Sequence, residues 1–236
     1  MRTFVRISFA MLFSLTTAIA QINSGVYMAK QLEGDKTITH ELKIDDQYLV
    51  HTVYQESPAE FIKSLGGFYE SSDGTLDVAL EFNSQYAQDS IRSLSIPYIM
   101  EGGILILNLE KPLQFERGAT VSQDLDGKWL FATRGPDTGQ NRRGEANARK
   151  TMKFLMDGRF QWIAYHTETF RFSGTGGGHY TTDDGNYTEH IQYFSRDNDR
   201  VGAKLKFLYN IKGDDWHHQG KNSRGEPMYE IWSKRK

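Results

Sequence analysis

The chain contains no cysteine, and this absence excludes disulfide bonds, thiolate metal sites, a cysteine nucleophile and lipid attachment to a cysteine. A second absence concerns hydrophobic runs. After residue 20 no segment approaches the roughly 20 consecutive apolar residues that a membrane-spanning helix needs. We therefore expect no membrane span in the mature chain.

The first twenty residues, MRTFVRISFAMLFSLTTAIA, have the pattern of an export signal. Arg2 and Arg6 give a positive start, a short apolar run follows, and residues 18–20 have the small-x-small form that signal peptidase accepts. The apolar run is too short to favour the alternative, a membrane anchor. We expect a signal peptide over residues 1–20, cleaved after Ala20. For a chain without disulfides, export indicates a bacterial periplasm or the medium, so we expect a periplasmic or secreted protein.

An excess of basic side chains is also missing. The chain has 28 basic and 30 acidic residues, and removal of Arg2 and Arg6 leaves 26 against 30, a formal net charge of −4. Because non-specific phosphate binding needs clustered Lys and Arg, this balance argues against nucleic acid or an anionic membrane as the partner. The expected partner is a small molecule.

The sequence repeats itself at an offset of 111 residues. Residues 64–84, SLGGFYESSDGTLDVALEFNS, align without a gap on residues 175–195, TGGGHYTTDDGNYTEHIQYFS. The matches fall on glycines, aromatic residues and an Asp-Gly turn, which are the residue types that backbone geometry constrains most. The repeat predicts two copies of one domain, at 22–117 and 125–236.

Each copy has the pattern of short antiparallel strands. In the second copy the apolar residues from Val201 to Tyr209 alternate as one face of a strand does, and Asp-Gly pairs mark hairpin turns. Nearly every connection looks like a hairpin, which favours a closed up-and-down barrel over a sandwich, because closure also removes exposed sheet edges. The predicted fold is all-β, a tandem duplication of such a barrel. The strands predicted for the second copy are 127–133, 150–156, 159–166, 169–174, 178–182, 186–195, 201–210, 213–220 and 227–233.

Gly127-x-Trp129, at the first predicted strand of the second copy, resembles the start of the lipocalin family. In that family the tryptophan closes the barrel bottom and stacks on a basic residue of the last strand, a role that Lys234 or Arg235 would fill here. The wider pattern is similar to lipocalin-like, calycin-type secreted proteins of bacteria. The resemblance covers most of the second copy and an outline of the first, and it implies a calycin-type barrel without an established active site. It is carried by residues 149–154 (RKTMKF), 160–162 (FQW), 176–180 (GGGHY), 187–189 (YTE) and 216–220 (WHHQG).

The two copies differ in their polar and aromatic residues. All four tryptophans and five of the seven histidines lie in the second copy, whereas the first has several aliphatic residues at the matching positions. An eight-stranded barrel is wide enough either to be filled by side chains or to hold one small ligand. We expect a mostly filled, structural first barrel and a polar-aromatic cavity in the second.

Strand alternation and aromatic character select the residues that would line this cavity. Trp162, Trp216 and Tyr180 are the expected stacking walls, and His218 shares a face with Trp216. Glu189 is the remaining candidate, although alternation alone does not decide whether it or the adjacent histidine faces inward. For each of these residues the alternative is an ordinary role in packing or at the surface.

A basic loop and a glycine run have less direct interpretations. In lipocalin-like barrels the first loop overhangs the mouth, so the loop 134–150, with five basic and two acidic residues, would draw an anionic or carboxylate-bearing ligand through Arg149. A solvated loop is the alternative. The run 176–178 is not expected to cradle a phosphate, because such loops lead into a helix. Its flanks indicate strand, and we expect a bulge or a sharp bend there.

Three functions are compatible with these features. We predict an exported, non-enzymatic binding protein that holds a small, partly apolar molecule in the second barrel, with an anionic one favoured by the basic loop. The alternatives are an enzyme with Glu189 or a histidine as general base or histidines on a metal, and a cell-surface interaction module without a ligand. Since no His-x-His, His-Glu-x-x-His or nucleophile elbow is present, we predict no catalytic residue, metal site or cofactor.

Overall fold

The computed structural model describes residues 22–222 and 224–236. The expected signal peptide, residues 1–20 with the cleavage point after Ala20, lies outside the described residues. The described chain consists mainly of β-strands, with a one-turn helix α1 (Tyr86–Asp89) and a 3-10 turn (Asn198–Arg200). No helix of this described part is long and apolar enough to cross a membrane.

The strands form two closed antiparallel barrels in tandem, and the prediction of a duplicated up-and-down barrel is confirmed. In each barrel every strand pairs with the next along the chain, and the last strand returns to pair with the first. The first barrel contains β1 (Gly25–Glu33), β2 (Lys36–Ile44), β3 (Tyr48–Gln55), β4 (Glu60–Ser72), β5 (Thr75–Asn83), β6 (Ser93–Glu101), β7 (Ile104–Leu107) and β8 (Leu113–Arg117). The second contains β9 (Gly127–Arg134), β10 (Arg149–Met156), β11 (Arg159–His166), β12 (Phe172–Asp183), β13 (Asn186–Phe194), β14 (Lys204–Lys212), β15 (Asp215–Lys221) and β16 (Pro227–Lys234).

Asp-Gly turns join the equivalent hairpins β4–β5 and β12–β13. Asp184 has φ 42° and Gly185 has φ 77°, and Asp73 and Gly74 have φ 49° and 74°. Two successive positive φ angles match the right-handed twist of the strands that they connect, and aspartate followed by glycine tolerates them best. These turns fix the hairpin registers at the same place in both barrels.

Each of these hairpins contains a β-bulge, which lies opposite a glycine pair of its first strand. The pairing of β12 with β13 shifts between Gly177 and Gly178, and that of β4 with β5 shifts between Gly66 and Gly67. The bulge that the glycines predicted is therefore confirmed in both copies. The separate strands predicted at 169–174 and 178–182 were wrong, because β12 is continuous from Phe172 to Asp183 and the extra residue of the bulge lies on β13. Residues 201–203 also lie outside β14.

The two barrels pack against each other through their outer faces. The apolar part of this interface joins Tyr48, Val50 and Phe82 to residues of β9, β10 and β11. Within it lies an ion pair in which Arg159 Nε donates to Glu41 Oε2 at 2.8 Å, and Glu41 is completely buried. Burial alone would raise the pKa of Glu41, but the charges of Arg159 and Lys43 outweigh it and hold that pKa below its usual value.

Candidate functional site

The interior of the second barrel contains a cavity of about 690 Å³. It extends from buried side chains in the barrel to exposed ones on the β13–β14 connection and at the end of β15. Its walls are apolar and largely aromatic, formed by Trp162, Ile191, Phe194, Ala203, Leu205, Phe207, Met228 and Trp232. Polar side chains are grouped at its two ends. The inner end has Lys153 and His218, which are buried, and Glu230 beside them; Thr151 lies nearer the mouth, and the outer end has Arg196, Asp197, Arg200, Lys221 and Asn222.

Lys153 forms a buried charged group at the inner end. Its Nζ donates to Glu189 Oε1 at 2.9 Å, and the same carboxylate oxygen accepts the Tyr187 hydroxyl at 2.7 Å. The ammonium also lies over four aromatic rings, an arrangement that adds cation–π attraction to the ion pair. The distances from Nζ to the ring centroids are 4.9 Å for Tyr187, 4.9 Å for Trp216, 5.3 Å for Trp232 and 5.9 Å for Phe207.

His218 is 2% exposed and lines the cavity beside this group. Its ring packs against Phe207 at 4.4 Å and Trp216 at 5.1 Å between centroids. Nδ1 lies 3.7 Å from Glu230 Oε2, which is too long for a hydrogen bond, and neither ring nitrogen has a hydrogen-bond partner among the described residues. Burial, assisted by the nearby charge of Lys153, lowers the pKa of His218 to about 4, so the imidazole is neutral at pH 7.

The first barrel has aliphatic residues at each position of this polar group. Leu42 faces His51 across β2 and β3 as Lys153 faces Trp162 across β10 and β11. By the same comparison of strand pairing, Glu189 corresponds to Val78, His218 to Leu107 and Glu230 to Leu113. Since the first barrel closes without any of the four polar residues, the barrel fold does not require them.

The predicted site residues separate into three groups. Trp162 and His218 line the cavity. Trp216 and Glu189 lie behind its inner end, where both contact Lys153. The Tyr180 hydroxyl instead donates to Asp126 in the connection before β9, and Arg149 is exposed at the start of β10; neither belongs to the cavity lining.

The loop between β9 and β10 contributes no residue to the cavity lining. Arg142 pairs with Asp215 at 2.6 Å, and Arg143 stacks on Phe131 at 4.4 Å, so these arginines are held against the barrel wall. The basic residues at the outer end of the cavity are instead Arg196, Arg200 and Lys221, which the sequence analysis did not select.

Alternation along β13 was misleading beyond the bulge. Ile191 pairs with Gly178 and Tyr193 with Gly177, so Gln192 is an extra residue on β13. Glu189 and Ile191 therefore face inward as alternation requires, but Tyr193 turns outward and contacts Tyr54 of the first barrel. Phe194 turns inward to the cavity, where it packs on Trp162.

The structure also shows which of Glu189 and His190 faces inward. Glu189 is 4% exposed, whereas His190 lies at the surface.

Trp129 and the last strand show the stacking that the resemblance implied. Lys234 Nζ lies 5.6 Å from the Trp129 ring, and the indole Nε1 donates to Leu125 O at 2.9 Å. Arg235 takes a different role, because it stacks on Tyr48 and Phe68 and pairs with Glu81, all in the first barrel.

The expectation that the first barrel is mostly filled was wrong. Its interior has a cavity of about 400 Å³ at the place equivalent to that in the second barrel. Aliphatic side chains form most of the lining, including Leu42, Val78, Leu94, Ile96 and Leu107, and the polar part of the lining includes His51, which pairs with Leu42. The two cavities share a position and differ in polarity.

No group of three or more potential metal-ligating side chains lies together in the part of the chain that the structure covers. No protein-family model matches the chain, and no curated protein matches its sequence. The chemistry of the second cavity is therefore the basis for a functional proposal.

Proposed function

We propose that this protein is an exported, non-enzymatic binding protein that holds one small, partly apolar, anionic molecule in the second barrel. The observation that carries the proposal is the comparison of the two cavities. Lys153, Glu189 and His218 are buried where the first barrel has only aliphatic residues. Burying charged and polar groups costs free energy that apolar packing would avoid, so their presence favours a role in recognition.

The size and walls of the cavity suit a small molecule. Its volume of about 690 Å³ lies inside the range of roughly 300–1,000 Å³ that small-molecule sites occupy. Trp162 and Phe194 are in edge contact at 5.4 Å and present broad apolar surfaces to the interior. An apolar ligand body would gain most of its binding free energy on these walls.

The outer end of the cavity favours an anion. Arg196, Arg200 and Lys221 contribute three positive charges there, against the single negative charge of Asp197. Arg196 Nε already donates to Ser173 O at 2.7 Å, and Arg200 pairs with Asp197 at 3.6 Å, so the attraction for an anion comes from the net positive charge of this end. A ligand carboxylate at the mouth would therefore meet a favourable field before its apolar part is buried.

The alternative of Glu189 as a general base has less support. Glu189 Oε1 already accepts hydrogen bonds from Lys153 and Tyr187, and Glu189 is absent from the cavity lining. A general base must lie within hydrogen-bond reach of the substrate proton that it removes. The other carboxylate and histidine at the inner end, Glu230 and His218, are 3.7 Å apart and do not form a hydrogen bond.

Titration with dodecanoate tests the binding proposal. All four tryptophans are in the second barrel, so their fluorescence reports on this site. We expect a saturable change in emission that Trp162→Ala weakens by at least tenfold in Kd, since it removes a cavity wall. His51→Ala is the matched control, because His51 occupies the Trp162 position in the first barrel, and it should leave the Kd unchanged. Absence of saturable binding, or an equal effect of His51→Ala, would contradict the proposal.

A further inference from the structure

The inner end of the second cavity indicates the chemistry of the buried end of the ligand. We propose that the ligand carries a hydroxyl group there, opposite its anionic end, and that this hydroxyl hydrogen-bonds to His218. The inference rests on the binding function proposed above and adds to it the chemical class of the ligand, a hydroxylated apolar acid with its two polar groups at opposite ends.

His218 is the observation that carries this assignment. It is buried, it lines the cavity, and no other described residue hydrogen-bonds to either ring nitrogen. A neutral imidazole offers one N–H donor and one acceptor lone pair. A buried polar group without a hydrogen-bond partner costs free energy. The first barrel has Leu107 at the equivalent position and avoids this cost. We therefore expect the ligand to supply the partner of His218.

The charges around His218 select a neutral polar group. A second carboxylate at this end would approach Glu230, whose Oε2 lies 3.7 Å from His218 Nδ1. An ammonium would instead approach Lys153, whose own charge already occupies the space among the aromatic rings, while Glu230 Oε2 already accepts from Trp232 Nε1 at 3.1 Å. A hydroxyl avoids both repulsions, since it donates to the imidazole lone pair or accepts from the imidazole N–H without adding charge.

The two ends of the cavity have complementary roles in this assignment. Arg196 and Lys221 at the outer end and His218 at the inner end line one continuous cavity, with aromatic walls between them. The ligand carboxylate therefore stays at the charged mouth, the apolar chain lies along Trp162 and Phe207, and the hydroxyl reaches His218. A fatty acid without a hydroxyl would pack against the cavity walls and leave the imidazole of His218 without a hydrogen-bond partner.

Calorimetric titration with three acids of equal chain length tests the assignment. The acids are 12-hydroxydodecanoate, dodecanoate and 12-aminododecanoate, which differ only at the end remote from the carboxylate. We expect the hydroxy acid to bind about tenfold more tightly than dodecanoate, because the site otherwise leaves a buried polar group unpaired. We expect 12-aminododecanoate to bind most weakly, since its ammonium would face Lys153.

His218→Leu provides the decisive variant. Leu107 shows that leucine is compatible with this position of the barrel, and the variant should bind the hydroxy acid and dodecanoate equally. His217→Leu is the matched control, because the adjacent His217 is bonded to Tyr229 and is outside the cavity lining, and it should keep the tenfold preference. If His218→Leu fails to fold, His218→Gln retains a donor and an acceptor and should keep part of the preference. In the unmodified protein, the nitrogen chemical shifts of His218 should change with the hydroxy acid and not with dodecanoate.

The possible failures are distinguishable. Equal binding of the hydroxy acid and dodecanoate to the unmodified protein would overturn the hydroxyl assignment and leave the binding function standing. If 12-aminododecanoate binds most tightly, the inner end of the cavity recognises a cation and the hydroxyl assignment is wrong. A preference that persists in His218→Leu would remove His218 from the assignment. Absence of binding by all three acids would overturn both the assignment and the proposed function.

Discussion

Lys153 and Glu189 make a buried ion pair at positions where the first barrel has Leu42 and Val78. Removing one charge from such a pair leaves the other buried without compensation. We expect Lys153→Leu to lower the free energy of unfolding by about 3–5 kcal/mol. Adding Glu189→Val should recover part of this loss, with a remaining cost of about 1–3 kcal/mol because the Tyr187 hydroxyl loses its acceptor. Urea denaturation measures both, and a double variant less stable than Lys153→Leu would contradict the interpretation.

The lowered pKa of His218 has a consequence for stability against pH. The pKa is about 4 in the folded protein and near its ordinary value of 6.5 in the unfolded chain, so the unfolded chain binds the proton first as pH falls. The free energy of unfolding should therefore fall between pH 7 and pH 4, with about 3 kcal/mol of the loss due to this residue. His51, with its pKa lowered to about 3 by burial, acts in the same direction.

His218→Leu isolates the contribution of His218. We expect the variant to lose less stability than the unmodified protein when urea denaturation is repeated at pH 7, 5.5 and 4. His51 is unchanged in both proteins, so its contribution cancels in the comparison. Identical pH dependence of the two proteins would show that the folded protein binds the proton as readily as the unfolded chain does.

At the scale of single elements, the duplicated bulge sets which residues of β13 face the cavity. A Cβ on Gly178 would lie 2.0 Å from the backbone oxygen of His190, and the residue has φ +155°. A Cβ on Gly67 in the first barrel would lie the same 2.0 Å from the backbone oxygen of Ala79, so the close contact belongs to the bulge itself.

Gly178→Ala tests the importance of this contact. We expect it to destabilise the protein by about 1–3 kcal/mol, because the backbone of β13 must move to admit the methyl group. Thermal unfolding measures the change. Gly144→Ala is the control, since a Cβ there meets no atom within 4 Å and the residue has no positive φ; it should alter stability by less than about 0.5 kcal/mol. Equal effects would mean that the bulge relaxes without cost.

The strands and turns were predictable where nearby residues determine them. The side-chain directions were less predictable where the pairing between two strands determines them. Asp184-Gly185 and the alternating apolar residues located the hairpins, and β11 was predicted with its observed bounds, residues 159–166. The side chain directions after Gln192 were not predictable, because an extra residue on one strand becomes visible only in its pairing with the next. Phe194 was missed as a cavity residue for this reason.

The candidate site was partly predictable, because some of its residues stand out in the sequence and others do not. Trp162 and His218 were found because aromatic and imidazole side chains on inward positions are conspicuous in the sequence. Lys153 was missed as a central residue, since a lysine in a strand ordinarily faces solvent and only the barrel closure places it among four rings. Comparing it with Leu42 at the repeat offset was the signal that could have identified it.

At the scale of the whole molecule, the two barrels meet with the symmetry of their repeat. Tyr54 contacts Tyr193 at 4.7 Å, and the equivalent residues, Tyr165 and Phe82, contact each other at 5.1 Å. Reciprocal contacts of this kind are what a two-fold dimer interface shows. The outward aromatic residues that the repeat retains are thus explained by packing between the barrels, which alternation alone could not distinguish from packing inside one barrel.

The buried pair of Glu41 and Arg159 should make the two barrels unfold together. We expect tryptophan fluorescence, which reports only the second barrel, and far-ultraviolet circular dichroism, which reports both, to give coincident urea curves. Arg159→Glu places two carboxylates in contact inside the interface, so the curves should separate and stability should fall by about 3–5 kcal/mol or more. Lys36→Glu, which disrupts the exposed Lys36–Glu60 pair, should change stability by at most about 1 kcal/mol and keep the curves coincident. Separate curves in the unmodified protein would show that each barrel is stable alone and that the interface adds little to either.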